Sequence, residues 1–246
     1  MEITFGLVII LVASFIQGLS SFGLSIVSLP FLIRIFPLQE VVPLITFFAM
    51  LTNIMILITS GKKPEIKKFG LLILMGILFL PVGVFSLRYF NPSYLKLFLG
   101  VFITGFSLLL VLKKTFPIKH EKIGYSITGS LSGFLNGSLS MSGPPVVLFL
   151  SIQGTAKETF RASINLYFLI LNVVTVLLFF SNGLLNRVVL GRILHLSPAM
   201  IIGVLAGILV CKKVNDEVFR RLVLIMMIFV GAWTTISTLA SLIGNT

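Results

Sequence analysis

The chain has 246 residues, of which 57% are hydrophobic and 11% charged, with a mean hydropathy of +1.13. That composition excludes a soluble domain and requires several membrane spans, so an integral membrane protein is expected. The net charge of +12 would point to nucleic acid in a soluble protein. Here the lysines cluster in short loops beside apolar runs, so orientation in the bilayer is the expected cause and no nucleic-acid partner is expected.

Cys211 is the only cysteine, which excludes an internal disulfide. No Walker, CxxC or HExxH motif occurs, so ATP hydrolysis, dithiol redox chemistry and zinc have no support, and no cofactor or metal is expected. The first residues, MEITFGLV, lack a basic region and a small-residue cleavage site. The first apolar run is therefore expected to be retained as structure.

In chain order, Ile3 to Gln17 is apolar, Gly18 to Gly23 (GLSSFG) interrupts it, and a second apolar piece continues through Pro30 to about Phe36. Spans of bilayer length follow near Val41 to Thr59, Phe69 to Leu87 and Tyr94 to Leu112. After the basic stretch Lys113 to Lys122 the plan repeats. A second interrupted segment runs to Leu150, and spans follow near Thr159 to Phe180, Ile193 to Cys211 and Val218 to Ala240.

The second interruption carries the strongest signal. Between Gly129 and Leu150 the sequence reads GSLSGFLNGSLSMSGPPVVLFL, and glycines, serines and a Pro-Pro pair are not what a plain membrane helix needs. Gly133 and Gly137 permit close backbone approach, and Pro144 and Pro145 remove two amide donors where a new helix would start. The helix is expected to break near Ser138 to Ser142. Unpaired backbone at membrane depth must face protein or a watery cavity, which makes the break a candidate site, the alternative being that its small residues only allow tight helix packing, as in the Gly133/Gly137 pair. The half-helix after it would turn its positive end toward an anion.

The halves also correspond residue by residue. Gln17-Gly18 aligns with Asn136-Gly137, Glu40 with Glu158, Asn53 with Asn172, Gly83 with Gly207, Arg88 with Lys212, Asn91 with Asn215 and Lys96 with Arg220. The expected organisation is one transport domain over 1–246, with repeats over 1–118 and 119–246. If each broken segment enters and returns on one side, Lys62, Lys63, Lys67, Lys68, Lys113, Lys114, Lys119, Lys122, Lys157, Arg161, Lys212, Lys213, Arg220 and Arg221 gather on one face. Five basic residues, Arg34, Arg88, Lys96, Arg187 and Arg192, remain for the other. Single crossings would give ten against nine and no orientation. The positive-inside rule therefore favours an all-α polytopic protein of two inverted-topology repeats, each a re-entrant helix pair plus three transmembrane helices, with both termini outside.

GLSSFGLSIVSLP in the first half and GFLNGSLSMSGPP in the second resemble the signatures of the TauE/SafE family of sulfite exporters. The resemblance extends to AKETFRASIN after the second signature and to the SNGLLN turn. It implies a secondary transporter of small sulfur-containing anions, such as sulfite or organosulfonates, in a bacterial or archaeal cytoplasmic membrane. One departure stands out: the family commonly has a run of glycines where this chain has Ser20-Ser21-Phe22-Gly23 and Ser140-Met141-Ser142-Gly143.

If the halves are inverted, both breaks meet near the bilayer midplane. The expected substrate site is Gln17, Gly18, Ser20, Ser21, Phe22, Gly23, Asn136, Gly137, Ser138, Ser140, Ser142, Gly143 and Pro144, with Asn165 behind the second break. Such neutral donors replace an anion's water shell without holding it too tightly to leave. Asn53 and Asn172 lie in apolar spans and need partners, so they serve either as glue between helices or as part of the path. Arg161 either escorts an anion or, as the base rate favours, snorkels to headgroups. His195 is a candidate for proton coupling, though an idle interfacial histidine is the commoner case. No acid falls within a span, so passive flow or coupling through the substrate's own protonation is expected. Three rivals stand beside this reading: an importer, an intramembrane enzyme with a serine nucleophile activated by His195, and a subunit that transports nothing. The sequence leaves the oligomeric state open.

Overall fold

The computed structural model describes residues 2–59, 69–91, 121–152 and 157–215, with positions 94, 97, 98, 101, 217, 218, 225, 232 and 236. Its elements are α-helices: α1 (Glu2–Ser20), α2 (Leu24–Leu32), α3 (Leu38–Thr59), α4 (Gly70–Tyr89), α5 (Glu121–Leu139), α6 (Gly143–Ile152), α7 (Lys157–Ser181) and α8 (Arg187–Lys213). Among the described residues there is no strand. Among the described residues, five helices contain apolar stretches long enough to cross a bilayer, namely Ile3–Ser20, Leu38–Thr59, Gly70–Tyr89, Phe160–Ser181 and Arg187–Lys213. The chain is thus a multi-pass, all-α membrane protein. The spans expected at Tyr94–Leu112 and Val218–Ala240 lie outside the described residues.

Local chemistry accounts for the helix ends. Asn186 caps α8 by accepting the Val189 amide at 3.0 Å, and Lys212 and Lys213 in the last turn complement the negative end of the dipole. Glu40 stands in the first turn of α3, where a negative charge is favoured. Pro43, Pro81 and Pro198 lie inside long helices, which neighbouring helices tolerate in a membrane protein.

Two close helix pairs dominate the packing, α4 with α5 and α1 with α8. Both are made by small residues. A Cβ at Gly18 would fall on the Val204 carbonyl oxygen, and one at Gly207 on that of Phe15. In the other pair a Cβ at Gly137 would fall on Leu80, and one at Gly83 on Phe134. Each contact is backbone against backbone, and any side chain would push the helices apart. Helix α1 thus packs on α8 through Gly18 and Gly207, and α5 on α4 through Gly137 and Gly83.

The same contacts set directions. Gly6 lies against Leu196 and Gly203 against Leu11, so α1 and α8 run the same way. Glu40 at the start of α3 pairs with Arg192 near the start of α8, which puts the beginnings of α1 and α3 at one end of α8. The first broken segment thus goes in along α1 and comes back by α2. In the second half, Gly129 lies on Leu72 and Gly137 on Leu80, while Tyr167 and Leu171 reach Gly76. Asn136 bonds Thr175 further along. Helices α5 and α7 therefore both run with α4.

A candidate substrate site at two helix breaks

The first break is Ser21-Phe22-Gly23. Helix α1 ends because Ser21 turns into the left-handed region, φ 71°, while its amide still bonds the Gln17 carbonyl at 2.7 Å. Gly23, at φ 122°, then redirects the chain into α2, an angle that glycine reaches without strain. Ser20 stays on the helix, its hydroxyl donating to the Ile16 carbonyl at 2.8 Å and also reaching the Phe22 carbonyl.

The second break, Ser140-Met141-Ser142, repeats this device. Ser140 has φ 57°, with its amide on the Asn136 carbonyl at 2.9 Å and the Met141 amide on Leu135 at 3.1 Å. The Ser140 to Asn136 bond is the usual way a left-handed residue closes a helix, though glycine normally fills the position. The Ser132 hydroxyl donates to the Ser142 carbonyl at 2.9 Å. In this way α5 holds the strand that leads into Gly143 and α6. Each left-handed serine costs roughly 1 kcal/mol relative to glycine.

The two breaks meet. The Ser25 hydroxyl, one residue into α2, donates to the Ser140 hydroxyl at 3.3 Å, and Gly143 lies against Phe22. Between them is a cavity of about 30 Å³ lined by Gln17, Phe22, Gly23, Ser25, Ser140, Ser142 and Gly143, with Asn53 from α3 and Asn172 from α7. A space that small holds a water or two. A polyatomic ion would require the walls to part.

Other expected residues sit elsewhere. Gly18 and Gly137 are helix-packing positions, as described above. The Ser138 hydroxyl donates to the Phe134 carbonyl of its own helix. Asn136 donates to Thr175 at 2.9 Å. Pro144 stands in the first turn of α6, and Ser21 is buried with its hydroxyl unpartnered, outside the cavity wall. The Asn165 amide donates to the Arg161 carbonyl at 2.7 Å, within its own helix, and Asn165 does not line the cavity. His195 is exposed on α8, its Nδ1 2.7 Å from the Gly191 carbonyl oxygen.

Arg161 does not snorkel, which overturns the base-rate expectation for it. It is buried, and its guanidinium donates to the carbonyls of Leu19 and Gly18, the latter at 3.0 Å, and touches the Cys211 sulfur. A cation from the second half thereby completes the carbonyl end of α1 just before the first break, where the dipole is negative. Spacing alone gave no sign of this. Ser25 and Thr175 were likewise missed as site and partner residues. Ser25 stands in the first signature, and its second glycine, Gly23, marks the turn that brings it inward.

Among the described residues no cluster of histidine, cysteine or carboxylate groups could hold a metal. Apart from its two amides at 53 and 172 and the Gln17 amide, the cavity's polar lining is hydroxyl and backbone.

Two interrupted helices that turn back and meet beside a cavity with a partly polar lining define a class: a polytopic membrane protein built around broken helices. The chain matches the sulfite exporter TauE/SafE family over residues 6–234 and belongs to it. Membership implies a transporter of the sulfite-exporter type, acting on a small anion. Comparison with curated proteins and with solved structures finds no match.

Proposed function

We propose that this protein is a secondary transporter that exports small sulfur-containing anions, sulfite or organosulfonates, by alternating access around the cavity where the two breaks meet. The observation that carries the reading is the Ser25 to Ser140 contact, which joins breaks from opposite halves beside a cavity lined in part by hydroxyls and amides. The reciprocal packing of α1 on α8 and of α5 on α4 supports inverted repeats, with the halves rocking against each other about the fixed site. The neutral lining suits an anion that must bind and leave.

The arrangement also supports a cytoplasmic face at the Lys212-Lys213 end of α8, with Arg161 near it and both termini outside. The membrane potential, negative inside, would then drive anions outward at about 2.3 kcal/mol per charge per 100 mV. The enzyme reading loses support from His195, which is exposed on α8 and does not line the cavity with Ser140.

The test is flux in proteoliposomes at a preset potential, with sulfite, sulfate, thiosulfate, taurine and sulfoacetate offered in parallel. Selective, potential-dependent movement of a sulfur oxyanion or sulfonate is expected. Movement of none of them would overturn the reading.

A further inference from the structure

Three buried groups form a relay of fixed polarity at the first break. The Leu24 amide, a donor only, gives its hydrogen to Gln17 Oε1 at 3.1 Å. That bond fixes which end of the Gln17 amide is the oxygen, so its Nε2 faces the other way and donates to Asn53 Oδ1 at 3.0 Å. Asn53 is in turn forced to accept through its oxygen, and its nitrogen has nowhere to turn. Asn53 has no exposed surface, it lines the cavity, and its Nδ2 has no partner. A buried amide nitrogen without an acceptor costs roughly what a lost hydrogen bond costs, and such a group is retained where something else fills its valence.

We propose that Asn53 Nδ2 is the donor that binds an oxygen of the transported oxyanion, and that Gln17 is a positioning residue that holds Asn53 in the donating orientation. This rests on reading the cavity as the anion site, and it adds which group recognises the anion and why that group cannot switch. A backbone amide never becomes an acceptor, so the relay admits anionic or carbonyl oxygen at Asn53 and rejects cations and donors. Asn172 also lines the cavity, with its Oδ1 unpartnered. No such relay fixes it, so it is free to turn either end of its amide to the ligand.

Asn53→Asp tests this with little change of shape. The aspartate still accepts from Gln17, but the unpartnered donor becomes an acceptor. With sulfite as the probe and the full chain in proteoliposomes, Asn53→Asp should raise KM about 10- to 100-fold, the range lost with a hydrogen bond to a charged group. Gln17→Met should act mainly on KM, raising it less than Asn53→Asp does, because Asn53 is then free to rotate. The double variant should be no worse than Asn53→Asp alone, since Gln17 acts only through Asn53. If Asn53→Asp fails to purify as a single species, Asn53→Ala removes the donor without a charge and should shift KM in the same direction. Wild-type sulfite flux with an unchanged KM in the Asn53 variants would overturn this proposal and leave the transport reading standing. A wild-type protein that moves none of the anions would overturn both.

Discussion

The two helix breaks use the same turn and different supports. Ser21 and Ser140 occupy equivalent positions and both take the left-handed conformation. Around Ser21, however, the support is side-chain and remote: the Gln17 relay to α3, and Arg161 reaching from the other half onto the carbonyls of Gly18 and Leu19. Around Ser140 most of it is local, the Asn136 bond to Thr175 and the Ser25 contact apart. The Met141 amide closes the helix on Leu135, Ser132 holds the Ser142 carbonyl, and Pro144 and Pro145 remove donors that would otherwise need acceptors. The same backbone turn is stabilised in two ways, and only the first break is tied to Asn53, a cavity-lining residue whose Nδ2 has no partner.

The largest effect should come from the glycine contacts that both breaks share. A side chain at Gly133 would overlap the Gly76 backbone, and one at Gly203 would overlap the Leu11 carbonyl. Gly133→Leu and Gly203→Leu should each abolish recovery of folded protein, seen as loss of the monodisperse peak in detergent. Survival of one but not the other would mean that the two helix pairs are not equally essential.

Next in size is the contrast between the two left-handed serines. Ser140 lines the cavity and Ser21 does not. Ser140→Leu should eliminate anion flux while folded protein is still recovered. Ser21→Leu, fully buried beside no cavity, should reduce recovery instead. Equal flux with equal recovery in both would remove the asymmetry proposed here.

Arg161→Met comes third. It leaves the carbonyls at the end of α1 without their cationic donor, a loss of about 3 kcal/mol to be read as a lowered unfolding midpoint in detergent. No residue at the second break should be as costly through charge alone.

These contrasts mark what the sequence could and could not disclose. Gly, Pro and Ser in an apolar run betray a break because each has a local reason to be there, and the position of both breaks and of the described spans beside them followed from that. Which way a residue points around its helix did not follow. Gly18 and Gly137 look like site residues by spacing but face a packed neighbour. Asn165 looks like a ligand but bonds its own backbone, and Arg161 looks interfacial but is buried against the opposite half. Each of these depends on contacts more than a hundred residues apart in the chain or on helix rotation, neither of which short motifs encode.

A smaller gain should accompany Ser21→Gly. Glycine takes the left-handed angle freely, so if the Ser21 hydroxyl only fills space the variant should be more stable by about 1 kcal/mol, with flux unchanged. Stabilisation with lost flux would assign that buried hydroxyl a role in the transport cycle.

The smallest effect is expected at the other end of α8, where Glu40 pairs with Arg192 and Arg192 stacks over the Phe36 ring at 3.9 Å. Like Arg161, this contact ties one half to the other, but both side chains remain about a quarter exposed. Water and salt therefore screen the pair, and such pairs contribute about 0.5 kcal/mol. Glu40→Gln should move the unfolding midpoint only slightly, and the shift should shrink further at high salt. A loss as large as that of Arg161→Met would mean that the two halves are pinned at both ends of α8. Rocking about the breaks would then have to part this ion pair in every cycle, and flux in Glu40→Gln would rise rather than stay level.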